Sequence, residues 1–288
     1  MPRVEPSDWL WKEGGAYYTA APEDLLRRPV LPDPMRLRDR RLIDLFDRFG
    51  GISPGRRVME LGCGGSPWLP FLAVARGADV TGLELEPHAA ELARANLLGA
   101  GARGTILCRD AFARWPDLEG RFDLVFSMGV MEHFDDVEVR LAAAGRYLRP
   151  GGRILTTVPN LQGINWTLQR LGDLRTLRAH VVHGRRSLRA AHEAAGFDTI
   201  AAGYSGFYDG FLTSSASSTP ARRRVHAALC RLTSLAAAAW IRAGRGALAP
   251  EAPWWSAHVF CAGRAPDAAV RRPAASAAGS AVSSPARS

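Results

Sequence analysis

Lysine is almost missing from this chain: Lys12 is the single lysine among 37 basic residues, so arginine carries the rest. Chemistry that needs a lysine in an active site has no other candidate. Cysteine is sparse as well, and Cys63, Cys108, Cys230 and Cys261 stand far apart, with no C-x-x-C pair and no histidine cluster beside them. That argues against zinc and against a disulfide framework, and it suits a reducing compartment. Long apolar runs are lacking too. The opening MPRVEPSDWLWKEGG has no signal-peptide core. The most hydrophobic stretch, Leu232 to Ile241, is bounded by Arg231 and Arg242 and falls far short of the roughly 20 residues that cross a bilayer. A cytoplasmic enzyme or binding protein is the expectation.

What is present is an ordinary globular composition, 288 residues with 47% hydrophobic and 23% charged, enough for one large domain or two small ones. The net charge is +9, which by itself would suggest nucleic acid or an anionic surface. Its distribution matters more. Residues 1–160 carry 21 basic and 22 acidic side chains, whereas residues 161–288 carry 16 and 6, so the whole excess lies in the second part.

Residues 1–35 form an arm rich in proline and aromatics, including Trp9, Trp11, Tyr17 and Tyr18. Leu42, Leu45, Phe46 and Phe49 then follow i, i+3, i+4, i+7, predicting an amphipathic helix over about 36–49 that stops at Gly50-Gly51. A repeating pattern follows. Strands are expected at 57–61, 79–85, 104–108, 122–127 and 153–158, with helices at 68–75, 87–98 and 137–148 between them. Strands alternating with helices at this spacing predict a doubly wound α/β sheet. After Asn160 the rhythm breaks: 161–184 is irregular or helical, 187–195 a helix, 197–204 a strand, and 257–262 a last strand. The division expected is an arm and helix over 1–50 that serves as a lid, a sheet domain over 51–204 and 254–264, a helical insert over 205–253, and a disordered Ala/Ser/Pro/Arg tail over 265–288.

The most informative stretch is Val58-Met-Glu60-Leu-Gly62-Cys63-Gly64-Gly65-Ser66-Pro67, a strand entering a glycine-rich turn and then a helix. Glycine there lets the backbone turn sharply and lets a ligand approach its N–H groups. The second strand ends at Glu84, about 20 residues past the first glycine, where such folds bind ribose hydroxyls. Asp110 closes the third strand, at the sheet edge where open α/β proteins bind ligands. A nicotinamide dinucleotide fits less well, because Pro67 stands where its fingerprint wants a third glycine.

Taken in order, Glu60-Leu-Gly-Cys-Gly64, Glu84, Asp110, Phe122-Asp-Leu-Val-Phe-Ser127 with Gly129-Val-Met-Glu132-His133, and Leu148-Arg-Pro150-Gly-Gly152 resemble the class I S-adenosylmethionine-dependent methyltransferases of the small-molecule type. The likeness is strong over roughly 55–160 and weaker over 186–204 and 256–264. It implies a Rossmann-like doubly wound seven-stranded sheet whose last strand is antiparallel, with the N-terminal arm and the helical insert added. It implies S-adenosylmethionine as cofactor, with Glu60 directed to the methionine ammonium, and Gly62, Cys63 and Gly64 along the methionine part. Glu84 would take the ribose, Asp110 and the Ala111 N–H the adenine, and Ser127 with Met128 the amino-acid moiety. Ser66 departs from the family's third motif glycine. Taken singly, Glu60 also reads as a strand-end charge and Asp110 as a turn cap.

Methyl transfer from a sulfonium is an in-line displacement, so the protein aligns the reactants and removes a proton from the acceptor. His133, with Glu132 beside it, is the candidate base; it also reads as a metal ligand or as the start of a helix, and no metal is assigned. His180, His183, Asn160, Asn165 and Trp166 follow the fifth strand, on the acceptor side. Base methylation is disfavoured because the turn after strand four reads Ser127-Met-Gly-Val and lacks the motif that stacks a flipped base. The expected acceptor is therefore a small molecule methylated at oxygen, nitrogen or carbon. An RNA or protein methyltransferase using the basic second part, and a module that binds the cofactor without turnover, stay as alternatives. In the insert, Val225, Leu229, Leu232, Leu235, Ala236 and Trp240 would form the apolar stripe of a helix that serves as a lid, a dimer contact or a peripheral membrane contact.

Overall fold

The computed structural model describes residues 21–34, 36–206, 218–240, 242–243 and 251–267. Trp9, Trp11, Tyr17 and Tyr18, most of the tail and part of the insert lie outside them.

Helix α1 (Pro22–Arg27) and helix α2 (Leu37–Leu45), continued by a π-helical turn over Phe46–Gly50, precede the sheet. Strand β1 (Arg57–Leu61), helix α3 (Trp68–Arg76), strand β2 (Asp79–Glu84), helix α4 (Pro87–Gly99) and strand β3 (Gly104–Cys108) build one wing. Strand β4 (Phe122–Met128), a 3-10 turn over Met131–His133, helix α5 (Val137–Gly145) and strand β5 (Leu148–Pro159) build the other. Helices α6 (Gly163–Gly172), α7 (Leu174–Ala179) and α8 (Arg185–Ala194) lead to strand β6 (Asp198–Ser205), helix α9 (Pro220–Trp240) and strand β7 (His258–Arg264).

The seven strands lie in the order β3-β2-β1-β4-β5-β7-β6, with β7 antiparallel to both of its neighbours; seven strands with an antiparallel last one are what the resemblance implies. The chain runs outward from β1 to β3 and then returns to β4 beside β1, so the order reverses there. A crevice opens at such a reversal, because the loops leaving the two central strands turn to opposite faces. Layers cover both faces. On one, Phe46 packs edge-on to Phe126 at 5.0 Å and meets Trp68 at 5.4 Å. On the other, Tyr147, Met131, Leu141 and Leu188 are buried against Met59, Val125 and Cys261.

The largest departure from the expected boundaries lies between α5 and β5. The sequence predicts that α5 runs to Leu148 and that β5 starts at Arg153, but the helix ends at Gly145 and the strand begins at Leu148. Leu148 pairs with Phe122 and Arg153 with Leu124, so residues 149–152 oppose Asp123 alone. A bulge of this kind carries Pro150-Gly151-Gly152 inside a strand, where the residue types alone read as a break.

The described part of the arm packs on α4. Asn96 on α4 accepts the Val30 N–H at 2.7 Å and donates to the Val30 carbonyl at 3.0 Å, holding the segment after α1 against α4. At the other end, Ala265 is buried and donates its N–H to the Gly152 carbonyl at 2.8 Å.

Candidate functional site

A cavity of about 630 Å³ opens at the C-terminal ends of β1, β2 and β4, where the strand order reverses. Glu60, Gly62, Gly64, Glu84, Asp110, Ala111 and Met128 all line it. The sequence scatters them over about 70 residues. Parallel pairing brings them together, because Glu60 lies in register with Gly82, two residues before Glu84, and Glu84 in register with Cys108, two before Asp110.

The turn after β1 is shaped by its glycines. Gly64 donates its N–H to Glu84 Oε2 at 2.8 Å, and a Cβ at position 64 would stand 2.6 Å from that of Ala89 and 2.9 Å from the same carboxylate oxygen. Gly65 takes the left-handed conformation at φ 68°, which lets the next residue face the helix. There Ser66 accepts the Trp68 N–H on its hydroxyl at 3.1 Å and gives its carbonyl to the Asn96 amide at 3.1 Å. The missing third glycine is thus a residue that holds the first turn of α3.

Glu84 is buried and takes two backbone donors, Gly64 on one oxygen and Glu86 at 3.0 Å on the other. Each oxygen keeps a second lone pair for a ligand. Burial raises the Glu84 pKa, against the pull of those donors. Glu60 is buried more completely, and its Oε2 has no hydrogen-bond partner. Burial pushes its carboxyl up to about 8, the Ser66 hydroxyl opposing and the Glu84 carboxylate adding to the rise. Asp110 is exposed; one oxygen accepts the Phe112 N–H at 2.8 Å, so part of it does serve as a turn cap. These residues fit the cofactor that the resemblance implies: a buried orphan carboxylate suits an ammonium group, and Glu84, Asp110 and Ala111 border the same cavity.

Other expected residues lie elsewhere. The Cys63 side chain is buried in the core beside Leu69 and Ile106, where burial raises its pKa, and it does not line the cavity. The Ser127 hydroxyl is buried without a partner beside the lining residue Met128. Glu132 and His133 are buried just beyond the lining loop Met128–Val130, with His133 Nε2 3.9 Å from Glu132 Oε1. Burial raises the Glu132 carboxyl to about 8. His180 joins them: its ring lies 4.7 Å from that of His133, and one ligand atom from each of the three falls within 4.8 Å of the others. The Val181 N–H donates to the Glu132 carbonyl at 2.6 Å, which fixes the end of α7 to this loop. His183 is buried with neither ring nitrogen bonded, and burial lowers its pKa. Asn160 and Asn165 both donate to the Ser256 carbonyl, at 2.8 and 2.9 Å, tying α6 to the strand-entry loop of β7.

Sequence reasoning missed Phe112, Phe134 and Arg140. All three line the cavity, and the Arg140 guanidinium lies 5.4 Å from the Phe112 ring centre and 4.7 Å from that of Phe134. Nothing in their spacing links positions 112, 134 and 140. Asn96 was missed too, since a single asparagine inside a helix carries no pattern.

The class of this fold is borne out by comparison. A family model described as a methyltransferase domain matches residues 35–202, more than half of the chain, and the protein belongs to that family. Among curated relatives, the ubiquinone biosynthesis O-methyltransferase of Aromatoleum aromaticum is 34% identical over 128 residues, 44% of this chain and 51% of that protein. Its Escherichia coli counterpart is 27% identical over 143 residues, 50% and 59% of the two chains. The chain thus matches little more than half the length of these relatives. Among solved structures, Haemonchus contortus phosphoethanolamine N-methyltransferase 2 in complex with S-adenosyl-L-methionine superposes with a TM-score of 0.59 at 16% identity, over 92% of this chain and 60% of that one. A putative methyltransferase from Bacillus halodurans gives 0.55 at 15% identity, over 78% and 98%. Both likenesses concern the fold.

Proposed function

We propose that this chain is an S-adenosylmethionine-dependent methyltransferase whose acceptor is a small molecule. One observation carries the reading: Glu60, Gly64, Glu84 and Asp110, expected from sequence as the cofactor set, border a single cavity at the strand-order reversal. When bound, the cofactor supplies an electrophilic methyl group on a sulfonium. Glu60 would hold its ammonium, and Glu84 would accept from the ribose hydroxyls on its second lone pairs. Asp110 and the Ala111 N–H would bind the adenine edge, with Phe112 and Phe134 shielding that end from water.

The acceptor side belongs to the loop after β4 and to α6–α7. His133 is the group proposed to receive the acceptor's proton, since an imidazole takes and returns one near neutral pH. The approach of Glu132, His133 and His180 favours a second reading, in which they hold a divalent cation that polarises the acceptor. Activity measured before and after chelation separates the two. The ubiquinone-pathway relatives favour an oxygen acceptor, and nothing in the site favours nucleic acid.

Thermal denaturation with and without S-adenosylmethionine tests the reading. A ligand at 100 times its dissociation constant adds about 2.7 kcal/mol, and a melting curve unmoved by the cofactor would sink the proposal. Release of S-adenosylhomocysteine with a panel of phenolic, amine and carbanion-forming acceptors then tests turnover.

A further inference from the structure

Helix α9, inserted between the last two strands, has two unlike sides. It is 21 residues long, or about 30 Å. Towards the body it buries His226 and half-buries Leu229, Cys230, Thr233 and Trp240, packing on α6. The Ser218 hydroxyl just before it donates to the Leu171 carbonyl at 3.1 Å. The expected apolar stripe is therefore divided, with Leu229 and Trp240 turned inward.

The other side is covered by nothing among the described residues. Val225, Leu232 and Leu235 are 55%, 63% and 66% exposed. With the exposed Ala228 and Ala239 they form one row at i, i+3, i+7, i+10 and i+14. Arg224 and Arg231 run alongside, and Arg222, Arg223 and Arg242 are exposed at the helix ends. Residues 210–250 contain no Asp or Glu at all. Next to it, α6 exposes Ile164, Trp166 and Leu171, with the Arg170 guanidinium 5.0 Å from the Trp166 ring centre.

We propose that this face docks on the surface of an anionic lipid bilayer, with the Val225–Leu232–Leu235 row in the headgroup boundary and the arginines on lipid phosphates. Charge complementarity decides the occupant. A second copy on the same face would set arginines against arginines with no carboxylate on the helix to pair them. Nucleic acid would engage the arginines but leave the exposed aliphatic row in water, and no aromatic side chain stands in that row for base stacking. Apolar row and cationic flank together are what an interfacial helix needs, and no described helix is long and apolar enough to span the membrane. The inference does not depend on the methyl-transfer reading.

Flotation of the full chain with vesicles tests it. Binding is expected to equimolar phosphatidylcholine and phosphatidylglycerol, to be absent with phosphatidylcholine alone, and to weaken as salt rises. Arg224→Ala with Arg231→Ala, and separately Leu232→Asp with Leu235→Asp, should each weaken it about tenfold or more. Both pairs are exposed, so their melting temperatures should match the parent's. Three results would overturn the proposal. One is a parent that stays off anionic vesicles at low salt. Another is a leucine variant that binds them as the parent does. The third is a parent dimer, seen by light scattering, that the leucine variant converts to monomer.

Discussion

Gly64 gives its backbone N–H to the Glu84 carboxylate at 2.8 Å, so the glycine turn of the first strand and the acid of the second are one unit. The hydrogen bond fixes both the loop and the direction in which the carboxylate faces the cavity.

Gly64→Ala should break that unit. The new methyl has no free volume against Ala89 and Glu84. A cost of about 1–3 kcal/mol is expected in urea denaturation, together with loss of the cofactor-induced thermal shift. A variant as stable as the parent and still shifted would show that the turn is looser than described.

Glu84→Ala and Asp110→Ala address binding. Each should abolish the thermal shift seen with S-adenosylmethionine, and Glu84→Gln, which keeps one acceptor oxygen, should weaken binding less, by about tenfold or 1.4 kcal/mol. Normal affinity in both alanine variants would move the cofactor site elsewhere.

Stability should peak in mildly acidic solution. Glu60 is raised from 4.5 to about 8, so its contribution is full below 4.5 and lost as pH rises towards 8; Glu132 acts in the same direction. His192 and His258 are lowered from 6.5 to about 3 by burial, so their contribution is full above 6.5 and lost as pH falls. The two trends offset each other between 4.5 and 6.5, and the carboxylates alone act from there to 8. Urea denaturation across pH 5–8.5 should show the decline above 6.5, and Glu60→Gln should make it shallower. An unchanged slope in that variant would reject a protonated Glu60.

Proton release should also accompany cofactor binding. A carboxyl near 8 is mostly protonated at pH 7, and pairing with an ammonium requires its anion. Calorimetry in buffers of different ionisation enthalpy should find close to one proton released at pH 7 in the parent and none in Glu60→Gln.

Asn96→Ala tests the link between the arm and the glycine turn. It removes the bonds to Val30 and to the Ser66 carbonyl, leaving polar groups unpaired. A loss of about 1–3 kcal/mol is expected, with faster proteolysis near residue 30. Protection equal to the parent's would mean that apolar packing alone holds the segment.

Much of this was legible in the chain itself. β1, β3 and the starts of β2 and β4 follow from apolar runs bounded by Gly and Pro, and Glu60, Glu84 and Asp110 are recognisable because each lies at or just past the C-terminal end of a strand. Its place between Gly62 and Gly64 puts Cys63 with the cofactor set in the sequence. Alternation in the turn sends its side chain to the core, which spacing along one segment cannot reveal.

The sequence by itself determined the order of the elements, the cofactor-type motifs and the concentration of positive charge after residue 160. These are local patterns, written in neighbouring residues. Only the tertiary structure decided that Arg140 would meet Phe112 and Phe134, that His180 would reach Glu132 and His133, and that α9 would turn Leu229 inward and Leu232 outward. Such pairings depend on which helix faces which strand across the sheet, and burial, rather than residue type, assigns each side chain to core, cavity or surface.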